Sequence, residues 1–178
     1  YAAYPDASCV GGKVLLVWKS SRPGWWNDDL DGYLSATALG EEEGLLKYPE
    51  CPNGTNISFK RSVFSKHGLF DVRLGRSGKR LLGYEENELC LRIEQSGGKV
   101  YYTPLAVVYH STHDYRLKRR YIFRKSFWDG RLASLVEHEN AFYSGRYGFK
   151  QMVMAIGSLM LHPRSQTSIW CSVWFNLG

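Results

Sequence analysis

A chain of 178 residues is long enough for one compact domain with a real core and too short for two large ones. Its apolar fraction of 44% is ordinary for a globular protein, whereas 15% aromatic residues is high and fits ligand platforms or interfaces as well as an aromatic core. The formal charge of +6 suits nucleic acid, anionic lipid or a phosphate-bearing substrate; with no RRM, KH or zinc signature to support it, a nucleic-acid module is set aside.

The apolar β-branched run at 13–18 within Cys9 to Trp18 predicts a buried strand. Residues 20–29 read as a loop carrying an exposed Trp25–Trp26 pair, followed by a short helix over 28–39 and an acidic turn at 41–44. A turn at 51–55 leads into a strand over 56–60, then a helix capped by Ser62 that runs to His67 and stops at Gly68. Glu85 and Glu86 open an amphipathic helix over 85–96, with Leu89 and Ile93 spaced i,i+4 and Gly97-Gly98 ending it.

A strand over 99–103, Pro104, and a β-rich stretch from Leu105 to Tyr109 ending in His110 come next. The pattern then turns helical from Tyr115 to about Glu139, with seven Lys or Arg between Arg116 and Arg131. Alternating strands and helices predict an α/β fold with flanking helices. The tail over 141–178, with an apolar run at 152–161 too short to span a bilayer, is a candidate for membrane-surface or subunit contact. The four cysteines have no Cys-x-x-Cys spacing, and Cys9 and Cys90 read as buried thiols in a reducing compartment.

Three stretches occur in order: Asn53-Gly-Thr-Asn-Ile-Ser-Phe-Lys-Arg61 continuing to Gly68-Leu-Phe-Asp-Val-Arg-Leu74, Gly83-Tyr-Glu-Glu-Asn-Glu-Leu-Cys-Leu-Arg92, and Gly97-Gly-Lys-Val-Tyr-Tyr-Thr-Pro-Leu-Ala-Val-Val-Tyr-His110. This succession, over roughly residues 8–135, resembles the C-terminal half of family 2 glycosyltransferases, enzymes of GT-A fold that use nucleotide-activated sugars. The resemblance implies a partial GT-A sheet over 1–140, with a helical tail beyond it. It also implies an inverting transfer of sugar to an acceptor hydroxyl in glycan or cell-surface polysaccharide synthesis. The donor-binding half would precede residue 1, so the isolated chain is expected to be inactive. The alternative is a silent carbohydrate-binding or scaffold remnant of the same fold.

A carboxylate at a helix start can accept a proton from an attacking hydroxyl, and the resemblance gives that role to Glu86, with Glu85 as the substitute. Glu stands where the family commonly has Asp, and the extra methylene moves the carboxylate by roughly 1.5 Å, a misplacement that can cost about a hundredfold in rate. Asn53, Gly54 and Asn56 resemble the segment beneath the sugar site, and Gly54 would let backbone approach a ligand. Trp25 and Trp26 are candidates for stacking on an acceptor sugar, and Arg92, Arg119 and Arg120 for binding substrate or phosphate. His110 falls where some GT-A enzymes complete a divalent metal site, so Mn2+ or Mg2+ is the expected cofactor of the complete enzyme. Asp29-Leu30-Asp31 is not read as a metal motif, because it follows the strand at 13–18 rather than preceding it. The implied partners are a nucleotide-sugar donor and a glycan or lipid-linked acceptor. The expected setting is cytoplasmic, with peripheral contact at the inner face of the membrane and self-association as further options.

Overall fold

The computed structural model describes residues 1–37, 39–78 and 80–128, which divide into two units. The first unit comprises Tyr1–Val17, Ser35–Arg73 and Glu85–Ser111. It holds a four-stranded sheet of β1 (Ala7–Val17), β2 (Gly44–Leu46), β3 (Ile57–Phe59) and β4 (Lys99–Ser111), in the order β2-β4-β1-β3. The central pair β1 and β4 is parallel, and the short outer strands β2 and β3 run antiparallel to their neighbours. Helices α1 (Arg61–His67) and α2 (Glu85–Gln95) complete the unit. The expected α/β character is therefore present, with a mixed sheet.

Helix α2 forms where the periodicity places it, and Leu89, Cys90 and Ile93 supply its buried stripe. They share one core cluster with Cys9 of β1, Val100 and Tyr102 of β4, Leu46 of β2 and Val63 of α1. Gly97, at φ 80°, donates to Glu94 O and Gly98 to Ile93 O, which closes the helix with a Schellman pair of bonds. Helix α1 ends at Gly68 as expected, with the Gly68 N–H bonded to Phe64 O at 3.1 Å. Its start differs: Lys60 is the capping position and makes no side-chain cap bond, so Ser62 already lies inside the helix.

Pro104 does not break the strand. Strand β4 runs through it, and the register against β1 jumps from the Gly12–Thr103 pair to the Lys13–Val107 pair. Residues 104–106 thus form a bulge, where a residue without an N–H leaves no ladder bond unmade. The Asn56 side-chain amide fills the gap, donating to Lys13 O at 2.9 Å and Ala106 O at 2.7 Å. Gly12 is the counterpart, since a Cβ there would lie 2.2 Å from Ala106 O and 2.5 Å from Asn56 Nδ2. Strand β2 was not expected; Gly44, read as the end of an acidic turn, joins Leu45 and Leu46 in a strand by pairing with Val100–Tyr102.

The second unit contains Trp18–Leu34, Leu74–Tyr84 and the residues from Thr112. The helix expected over 28–39 is a shorter 3-10 segment, Asp28–Leu34, followed by Ser35 at φ 76°. A second 3-10 segment, Asp114–Leu117, precedes helical residues 119–128. Leu30, Leu34, Leu82, Leu117 and Ile122 are buried. The expected tail over 141–178 and the later part of the basic helix lie outside the described residues. Among the described residues no helix is long and apolar enough to cross a membrane.

Candidate active site

Glu85, Glu86 and Glu88 occupy the first turn of α2, where the helix dipole favours negative charge. Glu86 is half-buried, and its Oε1 accepts the Gly54 N–H at 3.2 Å. Two expected site residues, 32 positions apart, are thereby joined. The turn holding Gly54 is fixed on both sides. Asn53 Oδ1 accepts the Thr55 N–H at 3.0 Å, and the Asn56 N–H bonds Asn53 O at 2.8 Å. Pro52 is fully buried against Gly11 of β1, where a Cβ would lie 2.0 Å from the Pro52 ring. Gly11 and Gly12 therefore let the 51–56 turn sit directly on the sheet and bring its Gly54 N–H to α2. No side chain could take the place of Gly54 without moving the carboxylate, because an added Cβ would stand 2.5 Å from Glu86 Oε1.

Other expected site residues have structural work. The Asn56 amide is committed to the bulge, so its contribution to the site is to hold the turn. Arg92 binds Glu88 through two bonds, Nε to Oε1 at 2.6 Å and Nη2 to Oε2 at 2.7 Å. It also donates to His67 O and, at 2.9 Å, to Leu69 O, so its guanidinium ties the end of α1 to α2. Four of its donor contacts are thus internal, and Arg92 is a clamp on the helix that presents Glu86. His110 lies near the end of β4 opposite Leu16 of β1 and is half-buried. Among the described residues no three His, Cys, Asp or Glu side chains converge as metal ligands.

In the second unit the tryptophan pair divides. Trp26 was expected at the surface but is only 7% exposed: its Nε1 donates to Asp31 at 2.8 Å and its ring meets Trp18 edge-on at 5.7 Å. Trp25 is half-buried, and the Arg119 guanidinium stacks over it at 5.2 Å. Trp25 and Arg119, both expected to bind substrate, are therefore neighbours, and a guanidinium stacked on an indole presents its N–H edge to an anion. Arg120 is exposed on the same helix. Asp31 accepts from Trp26 and Arg22.

Cys51, at the start of the turn, packs against the core cluster that contains Cys9 and Cys90. Its thiol also points to the main-chain oxygen of Glu86 at 3.9 Å. Cys90 accepts hydrogen bonds from both other thiols, chiefly Cys51, and this pulls its own thiol down. Cys9 and Cys51 are pushed up, first by the same bonds and then by burial. Neither this cluster nor the Gly11-Gly12 seat was expected. The glycine pair inside an apolar strand was the available signal for a close backbone approach; the cysteines, 9, 51 and 90 along the chain, gave none.

A glucosyl-dolichyl phosphate glucuronosyltransferase of Haloferax volcanii is 35% identical to the chain over 131 residues, which are 73% of the chain and 42% of that protein. The chain thus spans less than half the length of this relative. No family model matches the chain, and no solved structure does.

Proposed function

We propose that these residues form the acceptor side of an inverting family 2 glycosyltransferase of GT-A fold, with Glu86 as the base. The observation that carries the reading is the Glu86 carboxylate held against the Gly54 N–H at the start of α2. In the reaction proposed, an acceptor hydroxyl attacks the anomeric carbon of the donor from the face opposite the leaving nucleotide diphosphate. Glu86 takes the hydroxyl proton as the new C–O bond forms, and its negative charge steadies the oxocarbenium-like transition state. A nearby bond to Gly54 limits the movement of the carboxylate, which is what a base of this kind requires. Glu85, one residue earlier in the same turn, is the substitute.

The named relative supports a hexuronate donor and a lipid-linked sugar as acceptor. Arg119, on the face of Trp25, and Arg120 are assigned to an anionic group of the substrates, and Trp25 to sugar contact. Among the described residues His110 is not part of a group of three or more His, Cys, Asp or Glu side chains. No step is therefore routed through Mn2+ or Mg2+. Peripheral membrane contact follows from a lipid-linked acceptor and belongs to the same proposal.

The test is transfer by the full-length protein, with labelled nucleotide-hexuronate and nucleotide-hexose donors, a polyprenyl-phosphate-linked glucose as acceptor, and Mn2+ or Mg2+ supplied. Label should pass into the organic phase, with the anomeric configuration inverted by NMR. Retention of configuration would contradict the mechanism. No transfer from any donor would favour the silent carbohydrate-binding remnant.

A further inference from the structure

Within the second unit, residues 115–128 carry six Lys or Arg and no Asp or Glu. The acid just before them, Asp114, accepts the Ser20 hydroxyl at 2.7 Å. Over helical residues 119–128 the side chains divide by face. Tyr121, Ile122 and Ser126 are buried, whereas Arg119, Arg120, Phe123 and Arg124 are exposed. With 3.6 residues per turn, the four exposed positions share one arc of about 140°. Phe123 is four residues after Arg119 and three after Arg120, so its ring, 38% exposed, stands on the same face as these cations. Lys118, just before the helix, is exposed as well.

Two cations of this segment are stacked on rings. Arg119 lies over Trp25 at 5.2 Å and Arg116 over Tyr121 at 5.8 Å. A guanidinium whose flat side rests on a ring keeps its N–H edge for phosphate oxygens. The same stacking occupies ring faces that a single-stranded nucleic acid would need for its bases.

We propose that this face docks on an anionic lipid bilayer, with its cations at the level of the headgroup phosphates and the Phe123 ring at the acyl boundary. The inference deepens the peripheral membrane contact proposed above and rests on that reading for its purpose; the surface itself rests on the residues just named.

Charge complementarity selects the occupant. An anionic bilayer attracts a polybasic segment within about one Debye length, and each Lys or Arg near its surface strengthens binding about fivefold. A second copy of this face would instead set like charges against each other. An exposed phenyl ring among cations matches the layering of a bilayer surface, where an apolar group leaves water while its charged neighbours stay at the phosphates. The phosphate of a lipid-linked acceptor lies at the same depth as the headgroups. Binding of that phosphate by Arg119 and Arg120 is therefore compatible with docking through their neighbours.

The test partitions the full-length protein onto phosphatidylcholine vesicles, with and without phosphatidylglycerol, over a series of salt concentrations. Binding should require phosphatidylglycerol and weaken as salt rises. Lys118→Gln combined with Arg124→Gln, both outside the residues assigned to substrate, should lower the partition coefficient about thirtyfold, and Phe123→Ser about tenfold. All three positions are exposed, so circular dichroism should match the parent. A Phe123→benzoylphenylalanine protein, irradiated on the anionic vesicles, should cross-link to phospholipid. Equal partition onto both kinds of vesicle, parent-like partition of the double variant, or cross-linking from position 123 to nucleic acid or protein instead of lipid would each overturn the docking face. Sugar transfer is measured on the same samples. Docking as described in a protein that transfers no sugar would leave the face standing and count against the glycosyltransferase reading. Transfer to a lipid-linked acceptor without docking would overturn the face and leave that reading intact.

Discussion

An alanine at position 54 would place its Cβ 2.5 Å from Glu86 Oε1, against the far end of a flexible side chain. The carboxylate can swing away at little cost in stability but cannot keep its place. Gly54→Ala should therefore unfold within about 1 kcal/mol of the parent in urea, yet lose about a hundredfold in transfer. Arg92 is the opposite case. Arg92→Ala strands Glu88, His67 O and Leu69 O, and should cost about 2–4 kcal/mol by urea denaturation. At the first residues of the chain, Lys99 Nζ lies 2.5 Å from Asp6 Oδ2 and holds that carboxyl below its ordinary value. A depressed carboxyl stabilises the fold above the ordinary Asp range and loses that contribution as pH falls through its lowered value. Lys99→Ala should raise the Asp6 titration midpoint in an NMR series; both groups are exposed, so the change in stability will be small. At this scale the carboxylate pair was legible because a helix start and a family-like motif coincide there. The clamp made by Arg92 was not legible, because a single arginine carries no sign of which carbonyls will lie beside it.

The elements that position the site are held by contacts between strands. Gly12→Ala would drive a methyl into Ala106 O and the Asn56 amide at the bulge, and backbone cannot give way as a side-chain tip can. It should cost about 3 kcal/mol, and Asn56→Ala about 2 kcal/mol by leaving Lys13 O and Ala106 O unpaired; chemical denaturation of each variant is the check. Helix α2 and the core half of β1 were readable because their own apolar periods specify them. The passage of β4 through Pro104 was not, because the bulge depends on an amide from residue 56 on the far side of β1. Strand β2 was missed for a related reason: three residues become a strand only when Val100–Tyr102 lie beside them. The 28–39 helix shrank to Asp28–Leu34 where Ser35 takes a left-handed conformation, which no local cap signal announced.

On the scale of the whole molecule, alternation of strands and helices was enough to foresee an α/β arrangement, though not the two antiparallel outer strands. The relation to a named glucuronosyltransferase covers 73% of this chain but 42% of that protein. Among the described residues no cluster of acids and histidines is assembled to receive a metal–diphosphate. If, as proposed, these residues supply the acceptor side, the 178-residue chain should bind nucleotide sugars no more tightly than about 100 µM in calorimetry with Mn2+ present, a free energy near −5.5 kcal/mol. Micromolar binding would place a donor site within it.

The role of Glu86 is tested most directly by replacing its carboxylate with an amide of the same shape. In the full-length protein, Glu86→Gln should keep the parent's circular dichroism and Tm while transfer falls by about 10²–10⁴, and Glu85→Gln should retain most of its rate. A Glu86→Gln protein that transfers sugar at the parent rate would contradict the account and move the base elsewhere.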